Sequence, residues 1–168
     1  SVQGNSIDDS TTFYATGVSI VIHPQSPMVP IIHMNIRYFE MSNGVKWLGG
    51  GIDLTPHYII LEQAKLFHQG LKAICDKYSL DFYSNYKNWA DDYFFIPHRN
   101  ETRGIGGIFY DHIGIESGLS KEDLLKFCIE LGDNFTILYN QQAELGIAKK
   151  FTQEEIDLRN IRRGRYVE

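Results

Sequence analysis

The sequence predicts an α+β fold, an antiparallel sheet flanked by helices on both faces. Three observations predict it. Strand-like runs with two-residue alternation fill residues 12–54, and Asn43-Gly44 joins two of them as a hairpin. Apolar residues then recur at spacings of three and four, the period of a helix with one buried side. A further strand-like segment at 103–112 stands between helical runs, so the order is strands, helices, strand, helices.

The elements follow in order. Residues 12–23, TFYATGVSIVIH, are rich in β-branched and aromatic side chains and read as a strand. PQSPMVP, 24–30, carries three prolines and predicts an extended connection. Residues 31–41 form the second strand, with Ile32, Met34 and Ile36 on one face and His33, Asn35 and Arg37 on the other. VKWLGGGIDL, 45–54, is the antiparallel third strand. Gly49, Gly50 and Gly51 weaken it and predict a bulge or a close approach by a ligand or another backbone.

Thr55-Pro56 reads as a helix N-cap followed by proline in the first turn, with Ile60, Ala64, Phe67, Leu71 and Ile74 as the apolar stripe. Tyr83, Tyr86, Trp89 and Tyr93 mark a second helix. Ser120 with Asp123 opens a third, continued by Leu124, Phe127, Leu131, Phe135 and Leu138. Thr152 with Glu155 opens a short helix to about residue 162. RYVE at the end reads as the opening of another strand. The chain begins without Met in a polar run, SVQGNSIDDSTT, so both ends suggest a piece of something longer.

With 168 residues the chain is read as one domain, 1–168, long enough to bury a core. A net charge of −5, with basic residues scattered except at Arg162-Arg163-Gly164-Arg165, argues against nucleic acid as a partner. Cys75 and Cys128 fall on helical stripes and are read as reduced and buried, which predicts a cytoplasmic protein and argues against a cysteine nucleophile. No apolar run reaches membrane-spanning length. Aromatics at 13% suit a large flat ligand and a dense core equally.

His33, Asn35 and Arg37 in a row have two readings. One is a solvated face. The other is a surface for carboxylates: Arg37 makes a two-pronged, charge-assisted contact, Asn35 adds a donor, and His33 exchanges a proton near neutral pH. Asp53, after the glycines, either caps the next helix or reaches a ligand's N–H groups. Six histidines, 23, 33, 57, 68, 98 and 112, show no H-x-x-x-H or H-E-x-x-H spacing, so the local metal signal is weak. GIGG at 104–107 lacks the Lys-Ser/Thr of a phosphate loop.

Taken together, YATGVSIVIHPQSP, HMNIRYFE, WLGGGIDLTPHY, CDKY, YKNWADDYFFIPHRNETRGIGGIFYD and RRGRYVE closely resemble the oxygen-dependent coproporphyrinogen-III oxidases, in order and spacing, from Phe13 onward. The resemblance implies an antiparallel sheet flanked by helices in a homodimer. It implies oxidative decarboxylation of two propionates of coproporphyrinogen III to vinyls, giving protoporphyrinogen IX in haem biosynthesis, with O2 as oxidant. His33 matches the family's proton donor. Ser19, Asn35, Ile36, Arg37 and Asp53 match substrate contacts, Asp53 toward the pyrrole N–H groups. His23, His33, His68 and His98 match a set assigned to a divalent metal, manganese or similar, and no organic cofactor is implied. Relatives have an extra N-terminal segment and continue past RYVE, so the resemblance implies a domain truncated at both ends, with an incomplete sheet and weak activity alone. Two competing readings are a non-catalytic fragment that binds tetrapyrrole or pairs with a full-length protomer, and a metal-dependent hydrolase.

Overall fold

The computed structural model describes residues 11–114 and 117–166. Ten of the twelve residues of the polar start, and the last two of RYVE, lie outside them. Strands β1 (Phe13–Ile22), β2 (Ile31–Met41), β3 (Lys46–Thr55) and β6 (Gly107–Ile113) form one antiparallel sheet in the order β1-β2-β3-β6. Between β3 and β6 come helices α1 (Leu61–Cys75) and α2 (Phe82–Tyr93) and the two-residue strands β4 (Phe95–Ile96) and β5 (Glu101–Thr102), which pair with each other. Helices α3 (Lys121–Glu144) and α4 (Gln153–Gly164) follow.

The expected strands within residues 12–54 and their hairpin are present, whereas Arg165 and Tyr166 of RYVE follow α4 without forming a strand, and register explains what each face does. Ile36 pairs with Val18 and Gly50, while Asn35 pairs with Ser19 and Gly51. On the apolar face, Ile32, Met34, Ile52, Leu54 and Ile108 bury against Phe67 and Leu71 of α1 and Phe127 and Leu131 of α3. Each such side chain stabilises the fold by about 1.5–3 kcal/mol over its exposed state. Helix α2 runs beside β6 and touches both faces. Its Tyr86 meets Tyr110 on the apolar side, and its Trp89 and Tyr93 meet Phe109 on the other. Among the described residues, the second face of β1, β2 and β3 is otherwise open except where Phe94 and Arg103 meet its His33–Asp53 end, and it carries the His33-Asn35-Arg37 row.

Three local expectations change. Thr55 does not cap α1: it is the last ladder residue of β3, paired with Ile31, and the helix starts several residues further on. Helix α1 begins at Leu61 after Ile60, without a side-chain cap. The strand predicted at 103–112 is shorter, because Gly106, at φ 74°, turns the chain just before β6. The irregularity predicted in the glycine run lies on the partner strand: Leu48 pairs with Ile113 and Gly50 with Tyr110, so Asp111 and His112 together oppose Gly49. The other two predicted caps form. Ser120 accepts from the Asp123 N–H, and Thr152 and Glu155 make a reciprocal box.

Helix α4 is tied to the β1–β2 connection. Arg159 donates to the carbonyl of Gln25 and Arg163 to that of Pro24. This places Tyr166, just past α4, against His23 and over Arg103. No described helix is long and apolar enough to cross a membrane.

Candidate functional site

The open sheet face forms the floor of a cleft of about 430 Å³. Cross-strand pairing puts Ser19, Asn35 and Gly51 side by side on that floor, with Arg37 and His33 to either side of Asn35. The segment from Tyr93 to His98 supplies a wall, rich in aromatic rings, and Phe109 rises from β6 to stack on Tyr93 with centroids 4.0 Å apart. Apolar walls around a few converging polar groups are usual for small-molecule sites.

His33 is held from behind. Its Nδ1 lies 2.8 Å from Oδ1 of Asp53, its cross-strand neighbour. Arg103 donates to the same carboxylate, from Nη2 to Oδ1 at 2.9 Å and from Nε to Oδ2 at 3.2 Å. A carboxylate gripped in this way accepts from His33, so Nδ1 carries the proton and Nε2 is left for a ligand. Asp53 is 2% exposed and Arg103 6%. A buried ion pair survives only when its remaining groups are satisfied. Here the guanidinium lies between the rings of Phe94 and Tyr166, 4.1 and 4.4 Å from their centroids.

Arg37 is more open. Its Nη2 is 2.9 Å from Oδ2 of Asp111, and its Nη1 donates to Oδ1 of Asn35 at 3.5 Å. With five N–H donors, the guanidinium keeps others for the cleft.

The predicted residues separate into groups. Ser19, His33, Asn35 and Arg37 all line the cleft. Asp53 does not reach it as expected: both oxygens are engaged by His33 and Arg103, so it acts on His33 instead. Ile36 points its side chain into the helical layer, as period-two alternation requires. The four metal candidates do not come together. His98 lines the cleft wall, and exposed His23 faces Tyr166. His68 belongs to α1, where Nε2–H donates to the Ile105 carbonyl at 2.9 Å and Nδ1 accepts from Tyr83 at 3.0 Å. Burial also pushes the His68 imidazole below its usual range. Among the described residues, no three His, Cys, Asp or Glu side chains gather in a way that could hold a metal ion. The set does not fit a bound metal, and no step is assigned to one.

Sequence reasoning missed Arg103, Asp111 and the wall of Tyr93, Phe94 and Phe109. Tyr93 carried a helical period that a core explains equally well, and Phe94 and Phe109 lay outside that period. The two charged residues carried no local signal.

Fold and site together define an α+β protein that presents guanidinium, carboxamide and imidazole groups on a sheet under an aromatic wall, an arrangement suited to an acid-bearing ring compound. The family model described as coproporphyrinogen III oxidase matches residues 2–168, and the chain belongs to that family. It is accordingly an oxidoreductase family member with a role in haem biosynthesis.

Proposed function

We propose that this chain binds coproporphyrinogen III in the cleft and oxidatively decarboxylates two of its propionates to vinyl groups with O2, giving protoporphyrinogen IX. The observation that carries this reading is the row of His33, Asn35 and Arg37 under the aromatic wall, in a chain of this family.

The bookkeeping of the reaction says what the residues must do. Converting one propionate to a vinyl group releases CO2 and removes a hydride equivalent from the β-carbon. O2 takes both electrons and that hydrogen, and one further proton completes H2O2. Arg37 grips the propionate carboxylate, with Asn35 beside it, which fixes the direction of the β-carbon. Ser19 offers a hydroxyl one strand away. In its doubly protonated form His33 supplies the extra proton from Nε2, while Asp53, itself pinned by Arg103, fixes the ring through Nδ1–H. Tyr93 and Phe109 present apolar surface to the pyrrole rings and exclude water. The proposed assembly is a homodimer, as the sequence resemblance implies, and the free, buried Cys75 and Cys128 accord with a reducing cytoplasm.

Aerobic and anaerobic assays with coproporphyrinogen III test this. CO2 release that depends on O2 is expected, with kcat/KM falling about a hundredfold in Arg37→Ala, the loss of a charge-assisted two-pronged contact. Equal turnover without O2, or an Arg37→Ala enzyme as active as the parent, refutes it.

A further inference from the structure

We infer that Asp111 is a positioning residue, which sets the Arg37 guanidinium for a ligand carboxylate across the bare backbone of Gly49. The inference rests on the reading of Arg37 given above.

Arg37 belongs to β2 and Asp111 to β6, with β3 between them. Strands two apart are separated by about 9–10 Å, too far for most side chains to meet over an intervening one. These two meet, at 2.9 Å, directly above β3. The β3 residue beneath them is Gly49, the cross-strand partner of Arg37. A Cβ there would overlap Oδ1 of Asp111 and stand 2.8 Å from Nε of Arg37. The absent side chain at 49 is therefore the space the ion pair occupies.

The β6 bulge serves the same contact. It places Asp111 and His112 together opposite Gly49 and returns Ile113 to the core. His112 takes φ 52°, a left-handed conformation uncommon for a residue with a side chain. Strained backbone of this kind persists where its surroundings hold it, and it concentrates at functional sites. Here the His112 N–H donates to Oδ1 of Asp111 at 3.0 Å, and the His112 ring rests on Trp47, 4.6 Å away. Asp111 thus has a fixed orientation of its own. Asn35 restrains the other side of the guanidinium.

Two effects of Asp111 on a bound carboxylate oppose each other. It orders Arg37 in advance, and it repels the incoming anion. They offset in affinity, whereas only the ordering acts on the direction of the reacting propionate.

The test uses the full chain and three readouts: Arg side-chain NMR order parameters, the Kd of the redox-stable analogue coproporphyrin III, and turnover of coproporphyrinogen III. In Asp111→Asn the order parameter of Arg37 Nε–Hε is expected to fall from about 0.85 to below about 0.6. The Kd changes less than about threefold and kcat falls at least about tenfold. Gly49→Ala keeps both charges but drives them apart, and should give the same loss of order. Unchanged Arg37 order in both variants overturns the inference. So does an equal loss at Arg103, which would mark a general loosening of the sheet. If the parent's Arg37 signal does not move on saturation with coproporphyrin III, the functional reading fails instead, and the order parameters still decide the role of Asp111.

Discussion

At the scale of single residues, the informative side chains are those whose surroundings contradict their chemistry. His57 is one. It is 6% exposed, just past the end of β3. Burial, with Arg163, Arg162 and then Arg159 acting in the same direction, pushes its pKa down to about 4, while the Pro27 backbone acts in the opposite direction. The folded protein keeps this imidazole neutral, while the unfolded chain protonates it near 6.5. Its contribution to stability is therefore complete above pH 6.5 and is lost as pH falls from 6.5 through about 4. Urea unfolding of His57→Gln across this window should show a shallower acid loss than the parent. Parallel curves would show that His57 is not the group responsible. Arg103 is the opposite case: a buried charge whose neighbours include the Asp53 carboxylate and the rings of Phe94 and Tyr166.

At the scale of elements, the glycines separate by what lies next to them. Gly107 opens β6 opposite Asp53. A Cβ there would overlap the Ile52 carbonyl and come within 2.9 Å of the Asp53 Cα, both backbone atoms that cannot move aside singly. Gly107→Ala should destabilise by at least about 2 kcal/mol and should disturb Asp53, hence His33, at the same time. Gly132 lies inside α3 and would place its Cβ 3.2 Å from a terminal methyl of Ile36. That methyl can rotate, so Gly132→Ala should be neutral or gain up to about 1 kcal/mol from helix propensity. Chemical denaturation of the pair measures the contrast, and equal effects would refute this account.

At the scale of the whole molecule, the sheet is unevenly covered. Strands β2 and β3 are paired on both edges, and α1 and α3 cover one of their faces. Among the described residues, strand β1 has a sheet partner on one side only, and Phe13, Tyr14 and Val18 are exposed. Amides that open only on global unfolding should therefore cluster in β2 and β3, with those of β1 exchanging faster through local opening. Native-state hydrogen exchange reads this directly; uniform protection across the four strands would contradict it. The cleft floor lies mainly on the slow-exchanging strands, so its polar row is held by the most stable part of the molecule.

The division between what was legible in the sequence and what was not follows from range. The alternation of 31–41, the Asn43-Gly44 turn, the Ser120 and Thr152 caps and the apolar stripes of α1 and α3 are local signals. Backbone geometry imposes periods of two and 3.6, so composition along a few residues determines them. The same alternation placed His33, Asn35 and Arg37 on one surface, and the β1–β2 register set Ser19 beside them. Only the folded structure decided that Asp53 turns to His33 and Arg103, that Arg37 reaches Asp111 over Gly49, and that His68 is consumed by Ile105 and Tyr83. Those pairings join residues from 15 to 74 positions apart, and they depend on strand order, register and a single bulge. No periodicity in the chain encodes such contacts, because the distance between two strands is set by everything packed around them.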